Sequence, residues 1–254
     1  MIKVVIIGTG NVAYHISKAV LKNKKLEIAM ICGRKKKLPT NFSQDIAYSN
    51  NFKKIKKADL YIICINDDNI LKISEKLNID KESIVVHTSG STELNVLSKH
   101  NNYGVIYPLQ TFSKDKEIEF SNVPIIIEAN SKLILSRIKE ISSFLSNKVL
   151  KCNSNQRTFI HISAIFTNNF SNFMNVIAQD ILKSQDIDSE ILKPLLNETI
   201  DKLNFLTSKE AQTGPAARND KITIEKHLNL LKKTKYFETY NALTKEIINL
   251  KNEL

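Results

Sequence analysis

Ile2-Lys3-Val4-Val5-Ile6-Ile7-Gly8-Thr9-Gly10-Asn11-Val12-Ala13 is the stretch that decides the fold. Five of the six residues from Ile2 to Ile7 are β-branched and apolar, which is typical of a strand buried on both faces of a parallel sheet. The two glycines allow a sharp turn and close approach of the backbone to a ligand, and Ala13 lets the next helix pack on the strand. The stretch therefore predicts a helix N-terminus that binds the phosphates of a dinucleotide, with contacts from Gly8, Thr9, Gly10, Asn11 and Val12. The alternative is a strand, turn and helix without a ligand.

The composition is that of a globular protein. With 254 residues and 42% hydrophobic content, the chain can build a core and suits two modest domains. Its three cysteines are widely spaced, which indicates neither a disulfide framework nor a zinc site and favours a reducing cytoplasm. Met1 leads directly into the first strand, and no later segment holds about 18 uncharged apolar residues. We therefore expect a soluble, unprocessed, cytoplasmic protein with no membrane partner.

The net charge of +11 raises the question of a nucleic-acid partner. The lysines, however, form short runs at predicted helix ends and loops, without interleaved aromatic residues for base stacking. We expect no nucleic-acid partner. The positive charge favours instead the attraction of an anionic substrate or cofactor.

The choice of cofactor depends on the end of the second predicted strand, Leu26 to Ile31. NAD-binding folds place an acidic residue roughly 20 residues past the glycines, yet no Asp or Glu lies between Ile28 and Gln44. Arg34 lies there instead, and its guanidinium is suited to a 2′-phosphate through two charge-assisted hydrogen bonds. The sequence therefore favours NADP (NADPH) over NAD. A solvated basic turn is the alternative, and a flavin or deazaflavin nucleotide stays open because its phosphate turn would look similar.

Two further segments follow buried strands at the edge of the sheet where ligands bind. Asn66 follows the strand Leu60 to Ile65 and is expected to line the cofactor. The hydroxyl-rich turn Thr88-Ser89-Gly90 follows the strand Ile84 to His87 and suits contact with a nicotinamide or a substrate oxygen, although it also caps a helix. The neighbouring pair Asp67-Asp68 is interpreted as the start of a helix, so no metal is predicted.

The pattern of elements predicts an α/β fold with a change of period after Cys152. Strands and helices alternate up to that residue, and the signal is helical from Gln156 onward. We predict a doubly wound, mostly parallel sheet domain over residues 1–152 and an all-α domain over residues 153–254. The predicted helices of the second domain are Thr158 to Leu182, Asp188 to Phe205, Ile222 to Leu231 and Lys235 to Leu250.

The first of these helices is apolar but carries a line of polar groups. At about 100° per residue, Asn168 and Asn172 fall within roughly 20° of His161, and Asn169 lies about 80° away. Buried imidazole and carboxamide groups need hydrogen-bond partners. These partners are either other helices or a substrate facing the nicotinamide, and for His161 a purely structural role is an equal alternative.

The segment from Ala211 to Asp220 lies between two predicted helices. Gly214-Pro215 fixes its backbone path, and Asp220 is suited to cap the next helix. Thr213 and Arg218 are not needed for that structural role. An arginine in a rigid loop suits a substrate carboxylate or phosphate, or else pairs with a nearby acid.

Together these segments carry a resemblance to a known family. In order, they are Gly8-Thr9-Gly10-Asn11-Val12-Ala13, His87-Thr88-Ser89-Gly90-Ser91, Tyr107-Pro108-Leu109-Gln110-Thr111-Phe112, His161 with Asn169-Phe170-x-Asn172, and Thr213-Gly214-Pro215-Ala216-Ala217-Arg218-Asn219-Asp220. Over essentially its whole length, the chain resembles the Rossmann-like oxidoreductases that end in the domain of unknown function 2520. These are related to pyrroline-5-carboxylate reductase and the 6-phosphogluconate dehydrogenase superfamily. Asn219 stands where we expect the family to favour glycine.

The resemblance implies an NADP-binding Rossmann domain and a helical domain that forms the other wall of the active site and usually the dimer. We therefore predict an NADP-dependent oxidoreductase that transfers hydride between the nicotinamide and a small C=O or C=N substrate. His161 is the candidate general acid, because imidazole titrates near neutral pH. Asn169, Asn172 and Thr213 would orient the substrate, and Arg218 would neutralise an anionic end. The alternative is a protein of the same fold that binds or senses a nucleotide without turnover.

Overall fold

The computed structural model describes residues 1–252, so the last two residues of the predicted 153–254 domain lie outside the described chain. Within that range, eight strands form one sheet in the order β3-β2-β1-β4-β5-β6-β7-β8. Their bounds are β1 Ile2–Ile7, β2 Leu26–Cys32, β3 Tyr48–Ser49, β4 Leu60–Ile63, β5 Ile84–His87, β6 Asn102–Pro108, β7 Ile125–Ala129 and β8 Val149–Lys151. The predicted α/β fold with a mostly parallel Rossmann sheet is confirmed.

The order of the strands reverses on either side of β1. β1 pairs in parallel with β2 on one side and with β4 on the other. The crevice at the carboxyl ends of β1 and β4 is therefore the topological switch point of the sheet, where ligands bind in such folds. The carboxyl ends of β4 and β5 lie along the same edge, because these strands are also parallel. β7 runs antiparallel to β6, an arrangement that the sequence did not predict.

β1 is buried on both faces, as its composition predicts. Val4 and Ile6 belong to one hydrophobic cluster and Val5 and Ile7 to another, and all four side chains are fully buried. This alternation places one cluster on each face of the sheet. Burying each such side chain stabilises the fold by about 2 kcal/mol. β1 therefore contributes to the hydrophobic core on both faces of the sheet.

The α-helices are α1 Asn11–Leu21, α2 Ile70–Lys76, α3 Lys132–Ser143, α4 Ser154–Ala164, α5 Ser171–Lys183, α6 Lys193–Lys202, α7 Lys221–Leu231 and α8 Phe237–Asn252. A π-helical segment, Ile165–Phe170, separates α4 from α5 where the sequence predicts one continuous helix. A π-turn holds more residues than an α-turn, so the predicted polar stripe at 100° per residue does not continue past it.

The chain forms two compact units, Met1–Asn169 and a second that begins at Phe170. The first unit contains the whole sheet and also α4, which follows the last strand. The division into domains 1–152 and 153–254 stays a prediction. None of the helices formed by residues 1–252 is long and apolar enough to cross a membrane.

Candidate active site

The turn after β1 can be formed only with glycine at position 8. Gly8 has φ +130°, and a Cβ there would lie 2.0 Å from the Cys64 carbonyl oxygen on the adjacent strand. Gly10 precedes α1 in extended conformation, and within the described chain no side chain caps this helix. The first amides of α1 are therefore left for an external acceptor, as a phosphate site requires.

The loop that follows β6 is tied to α1. The Asn11 side chain donates a hydrogen bond of 2.7 Å to the carbonyl of Phe112. The His15 Nε2 lies 2.7 Å from the carbonyl of Ser113, and its ring packs 4.9 Å from that of Phe112. Asn11 thus has a structural partner in addition to its predicted cofactor role, and it fixes one side of the cavity described below.

In the turn after β5, the side chain of Ser89 is fully engaged in hydrogen bonds. Its hydroxyl donates to Asp67 over 2.7 Å and accepts from the amides of Ser91 (3.1 Å) and Thr92 (2.9 Å). A serine hydroxyl has one donor and two acceptor positions, so all of them are used. Ser89 consequently shapes the turn, and its contribution to a ligand would come from its backbone.

His87 supports the same turn from below. Its fully buried ring accepts a hydrogen bond from the amide of Ser89 over 3.2 Å. Burial lowers the pKa of His87 to about 4, and the positive charge of Arg157 acts in the same direction. The imidazole is therefore neutral at physiological pH.

Gly90 allows the imidazole of His161 to approach the end of β5. A Cβ at Gly90 would lie 2.7 Å from both Cγ and Nδ1 of His161 and 2.9 Å from Cζ of Tyr107. Tyr107 also contacts the imidazole of His161. Its hydroxyl lies 3.0 Å from His161 Nδ1, and the two rings meet edge to face. Burial, together with the Asp67 carboxylate, raises the pKa of Tyr107, so its hydroxyl is protonated.

A buried ion pair fixes α4 in the first unit. The fully buried Arg157 pairs with Glu128 on β7 and donates to the carbonyl of Thr92. Glu128 also accepts from the amide and hydroxyl of Ser154, each over 2.9 Å, at the start of α4. Because Arg157 lies about one helical turn before His161, this pair sets the position from which His161 reaches Gly90.

A cavity of about 960 Å³ lies at the carboxyl edge of the sheet, with Tyr107 and His161 in its lining. Of the predicted site residues, the cavity is lined by Gly10, Asn11, Val12, Asn66, Thr88, Ser89, Gly90, His161 and Asn169. Asn169 lies there even though the helical wheel put it off the stripe. The cavity is large enough for a dinucleotide end and a small substrate.

The remaining predicted residues of the first unit lie outside the lining of this cavity. Gly8 and Thr9 belong to the turn itself, where Thr9 packs beside Gly33. Arg34 is exposed in the basic segment directly after β2, at the same edge of the sheet. That position is compatible with its predicted contact to a 2′-phosphate.

Three predicted residues lie in the second unit. Asn172 is exposed on α5, and Thr213 and Arg218 are exposed in the segment before α7. The backbone of that segment has Gly214 at φ +107° and Asn219 at φ +52°. Asparagine tolerates the left-handed conformation, which explains how it can stand where the family is expected to favour glycine.

Sequence reasoning missed Tyr107 and Arg157 as residues of the site. Tyr107 was part of a recognised motif, but nothing local indicates that its hydroxyl meets a histidine 54 residues later. Cys64 also lines the cavity, yet burial raises its pKa to about 12, so it is a thiol and not a nucleophile. Within residues 1–252 no group of three or more metal-ligating side chains is found.

The chain is similar to known proteins over nearly its whole length. The model of the domain of unknown function 2520 matches residues 123–247, and the model described as NADP oxidoreductase coenzyme F420-dependent matches residues 3–90. A Bacteroides fragilis protein assigned as an NADP oxidoreductase is 35% identical, with 98% of each chain covered and a TM-score of 0.88. No curated protein matches the sequence.

More distant structures share the fold. A Thermotoga maritima protein has 17% identity, 98% coverage of each chain and a TM-score of 0.76. The reductive aminase of Aspergillus terreus, in complex with NADPH and ethyl levulinate, has 14% identity, covers 98% of this chain and 94% of its own, and gives a TM-score of 0.71. At these identities the likeness concerns the fold alone.

Proposed function

The chain belongs to the family of NADP oxidoreductases that end in the domain of unknown function 2520, and we propose that it transfers hydride between NADP and a small substrate with a C=O or C=N group. One observation carries the proposal. A single cavity at the carboxyl edge of the sheet contains both the start of α1, after the glycine turn, and the Tyr107–His161 pair. The first is suited to a dinucleotide and the second to proton transfer.

The residues of the first unit fit a nicotinamide dinucleotide. The open amides at the start of α1 suit the pyrophosphate, and Gly10 has no neighbouring atom within 4 Å of a Cβ, which leaves room for it. Asn66 and the backbone from Thr88 to Gly90 would hold the nicotinamide end. When bound, NADPH supplies the hydride for the substrate carbon.

The preference for NADP over NAD is part of the proposal. It is supported by Arg34, which is exposed directly after β2, and by the absence of an acidic residue between Ile28 and Gln44. A guanidinium can form a bidentate contact with the 2′-phosphate of NADP. It cannot accept the hydrogen bond from the ribose 2′-hydroxyl of NAD, which a carboxylate accepts in NAD-binding folds.

His161 is the proposed general acid. It lines the cavity, α4 positions it through the Arg157–Glu128 pair, and Gly90 lets it reach the end of β5. It would donate a proton to the substrate oxygen or nitrogen as hydride reaches the carbon. The Asn169 side chain, in the same lining, would orient the substrate.

Asn172, Thr213 and Arg218 complete the proposal from the second unit. The two polar side chains would hold the substrate, and Arg218 would neutralise an anionic end such as a carboxylate. Their exposure leaves them available to a ligand. A keto acid or imino acid is therefore the substrate class that we propose. Unpaired Cys32, Cys64 and Cys152 support a cytoplasmic location as part of the same proposal.

We also propose a homodimer formed through the helices of the second unit. Among residues 170–251, Ile224 is the one large hydrophobic side chain that is buried, whereas Ile191, Leu195 and Phe205 are more than half exposed. Exposed apolar surface of this extent is typical of an association surface. Sedimentation analysis should give a dimer for the protein and a monomer for Leu195→Glu. Leu133→Glu, at an equally exposed leucine on α3, should leave the dimer intact, and a monomeric native protein would contradict the assignment.

Activity is tested by following NADPH oxidation with a panel of keto acids and cyclic imines. The protein should oxidise NADPH with at least one of them, and His161→Ala should abolish turnover while leaving NADPH affinity within about twofold. His227→Ala is the matched control, since His227 also bonds a tyrosine hydroxyl, that of Tyr240 in the second unit. NADPH binding without turnover of any substrate would favour a nucleotide sensor. Full activity of His161→Ala would remove the acid role.

A further inference from the structure

The atoms around His161 indicate how its ring is used. Its Nδ1 lies 3.0 Å from the Tyr107 hydroxyl, and the Cγ–Nδ1 edge packs on Gly90 so closely that a Cβ would lie 2.7 Å away. Nδ1 therefore faces the protein. The edge of the ring with Nε2 is the one left to a ligand.

The surroundings of Nε2 agree with this orientation. Within residues 1–252 the His161 Nε2 has no hydrogen-bond partner. This atom is also not buried. An unpartnered ring nitrogen that is not buried is open to the cavity, which His161 lines. This nitrogen can therefore reach a substrate without breaking a contact of the folded protein.

We propose that Tyr107 is a positioning residue that holds the His161 Nδ1–H, so that Nε2 is the atom that delivers the proton. This inference rests on the proposed function and deepens it, since it assigns the proton to one ring nitrogen and adds a residue. A hydroxyl oxygen accepts from Nδ1–H in the charged ring and in the neutral ring alike. A carboxylate partner would instead favour the charged ring and resist loss of the proton.

Proton transfer from His161 accompanies hydride transfer to the substrate. The Nε2–H bond of the imidazolium breaks, and the proton passes to the substrate oxygen or nitrogen while the carbon receives hydride from NADPH. His161 ends neutral, with its remaining proton on Nδ1 and donated to the Tyr107 oxygen. The next proton comes to Nε2 from water, so Tyr107 keeps one hydrogen bond throughout and never becomes charged.

Tyr107→Phe tests the proposal, because it removes one oxygen atom and keeps the ring. We expect kcat to fall by about 10- to 30-fold, as the loss of one orienting hydrogen bond predicts, with KM and NADPH affinity within about twofold. The matched control is Tyr103→Phe, four residues earlier on the same strand and outside the cavity lining, which should retain full activity. An unchanged kcat in Tyr107→Phe would overturn the positioning role.

A spectroscopic measurement tests the same inference without any substrate. Nitrogen NMR of the native protein should show neutral His161 protonated at Nδ1, and Tyr107→Phe should populate both tautomers. Neutral His161 protonated at Nε2 in the native protein, or the same spectrum in both proteins, would refute the inference. Absence of turnover by the native protein would instead refute the proposed function, so the two failures are distinguishable.

Discussion

Two glycine-containing turns, one after β1 and one after β5, lie at the carboxyl edge of the sheet. They differ in how many of their polar groups are free to contact a ligand. The turn after β1 keeps its backbone open: Gly10 has no atom within 4 Å of a Cβ, and in the described chain no side chain caps α1. The turn after β5 is closed, since the hydroxyl of Ser89 is fully bonded and the backbone at Gly90 contacts His161. The first turn leaves its amides open to the phosphate contact that we propose. The second is built to place a histidine beside it.

The largest effect expected in this comparison is that of Gly8→Ala in the first turn. Alanine at φ +130°, with its Cβ 2.0 Å from the Cys64 carbonyl, forces β1 and β4 apart. We expect a loss of about 4 kcal/mol in the free energy of unfolding, measured by chemical denaturation. Gly10→Ala is the control and should cost no more than about 1 kcal/mol, because alanine is a poorer N-cap than glycine but meets no atom there. Equal stability of the two variants would show that the turn is not constrained as described.

The second turn should be sensitive to acid, because the neutral His87 supports it. Burial lowers the pKa of His87 to about 4 in the folded protein, from the usual 6.5 of a histidine. The unfolded chain therefore binds the proton first. The stability from this group is complete above about pH 6.5 and is lost as the pH falls towards 4, a change of about 3 kcal/mol.

His87→Asn isolates this contribution, since asparagine keeps an acceptor for the Ser89 amide. Denaturation of both proteins at neutral pH and near pH 4 should give a smaller acid-induced loss in the variant, by about 3 kcal/mol. His100, whose pKa is also lowered by burial, is present in both proteins and cancels. The same loss in both would mean that His87 does not titrate between these limits.

Gly90→Ala should lower turnover without lowering the affinity for NADPH. Its Cβ would displace the rings of His161 and Tyr107, while the backbone at residue 90 has no positive φ that would strain alanine. We expect turnover to fall by about 100-fold with the affinity for NADPH within about twofold. Steady-state kinetics and a fluorescence titration measure the two quantities. A parallel loss of both would show that the added methyl group disturbs the proposed backbone contact with the cofactor and not only the position of His161.

The smallest effect is expected at Arg34, the proposed contact of the NADP 2′-phosphate. Arg34→Ala should weaken NADPH by about 20-fold, the value of the lost charge-assisted hydrogen bonds, and leave NADH within about twofold. Lys36→Ala is the control within the same basic segment and should change both affinities little. Equal losses of NADPH and NADH in Arg34→Ala would remove the 2′-phosphate assignment.

The sequence predicted the first turn well because its signals are local. A β-branched run, two glycines and a small residue determine β1, the turn and the start of α1 within twelve positions. The residues of the turn could therefore be named one by one, and their contact with phosphate stays a prediction. The antiparallel pairing of β7 with β6 depends on long-range contacts and was not predicted.

The second turn could be predicted only in part. His161 was named from its polar character, but its contacts with Gly90 and Tyr107 bring together residues 71 and 54 positions apart, which no local pattern reveals. The π-helical segment also changed the register that had been read from helical periodicity. The buried Arg157 is another example, because a charged residue is not expected to be fully buried before its partner Glu128 is known.

The most direct test of the account follows deuterium from NADPH labelled at C4 into the product formed with a keto acid or cyclic imine. The account predicts that the native protein transfers one deuterium to the former C=O or C=N carbon. His161→Ala should bind the labelled NADPH without transferring it, and Gly90→Ala should transfer it about 100-fold more slowly. Turnover with no deuterium on that carbon, or bound NADPH with no transfer to any substrate of the panel, would contradict it.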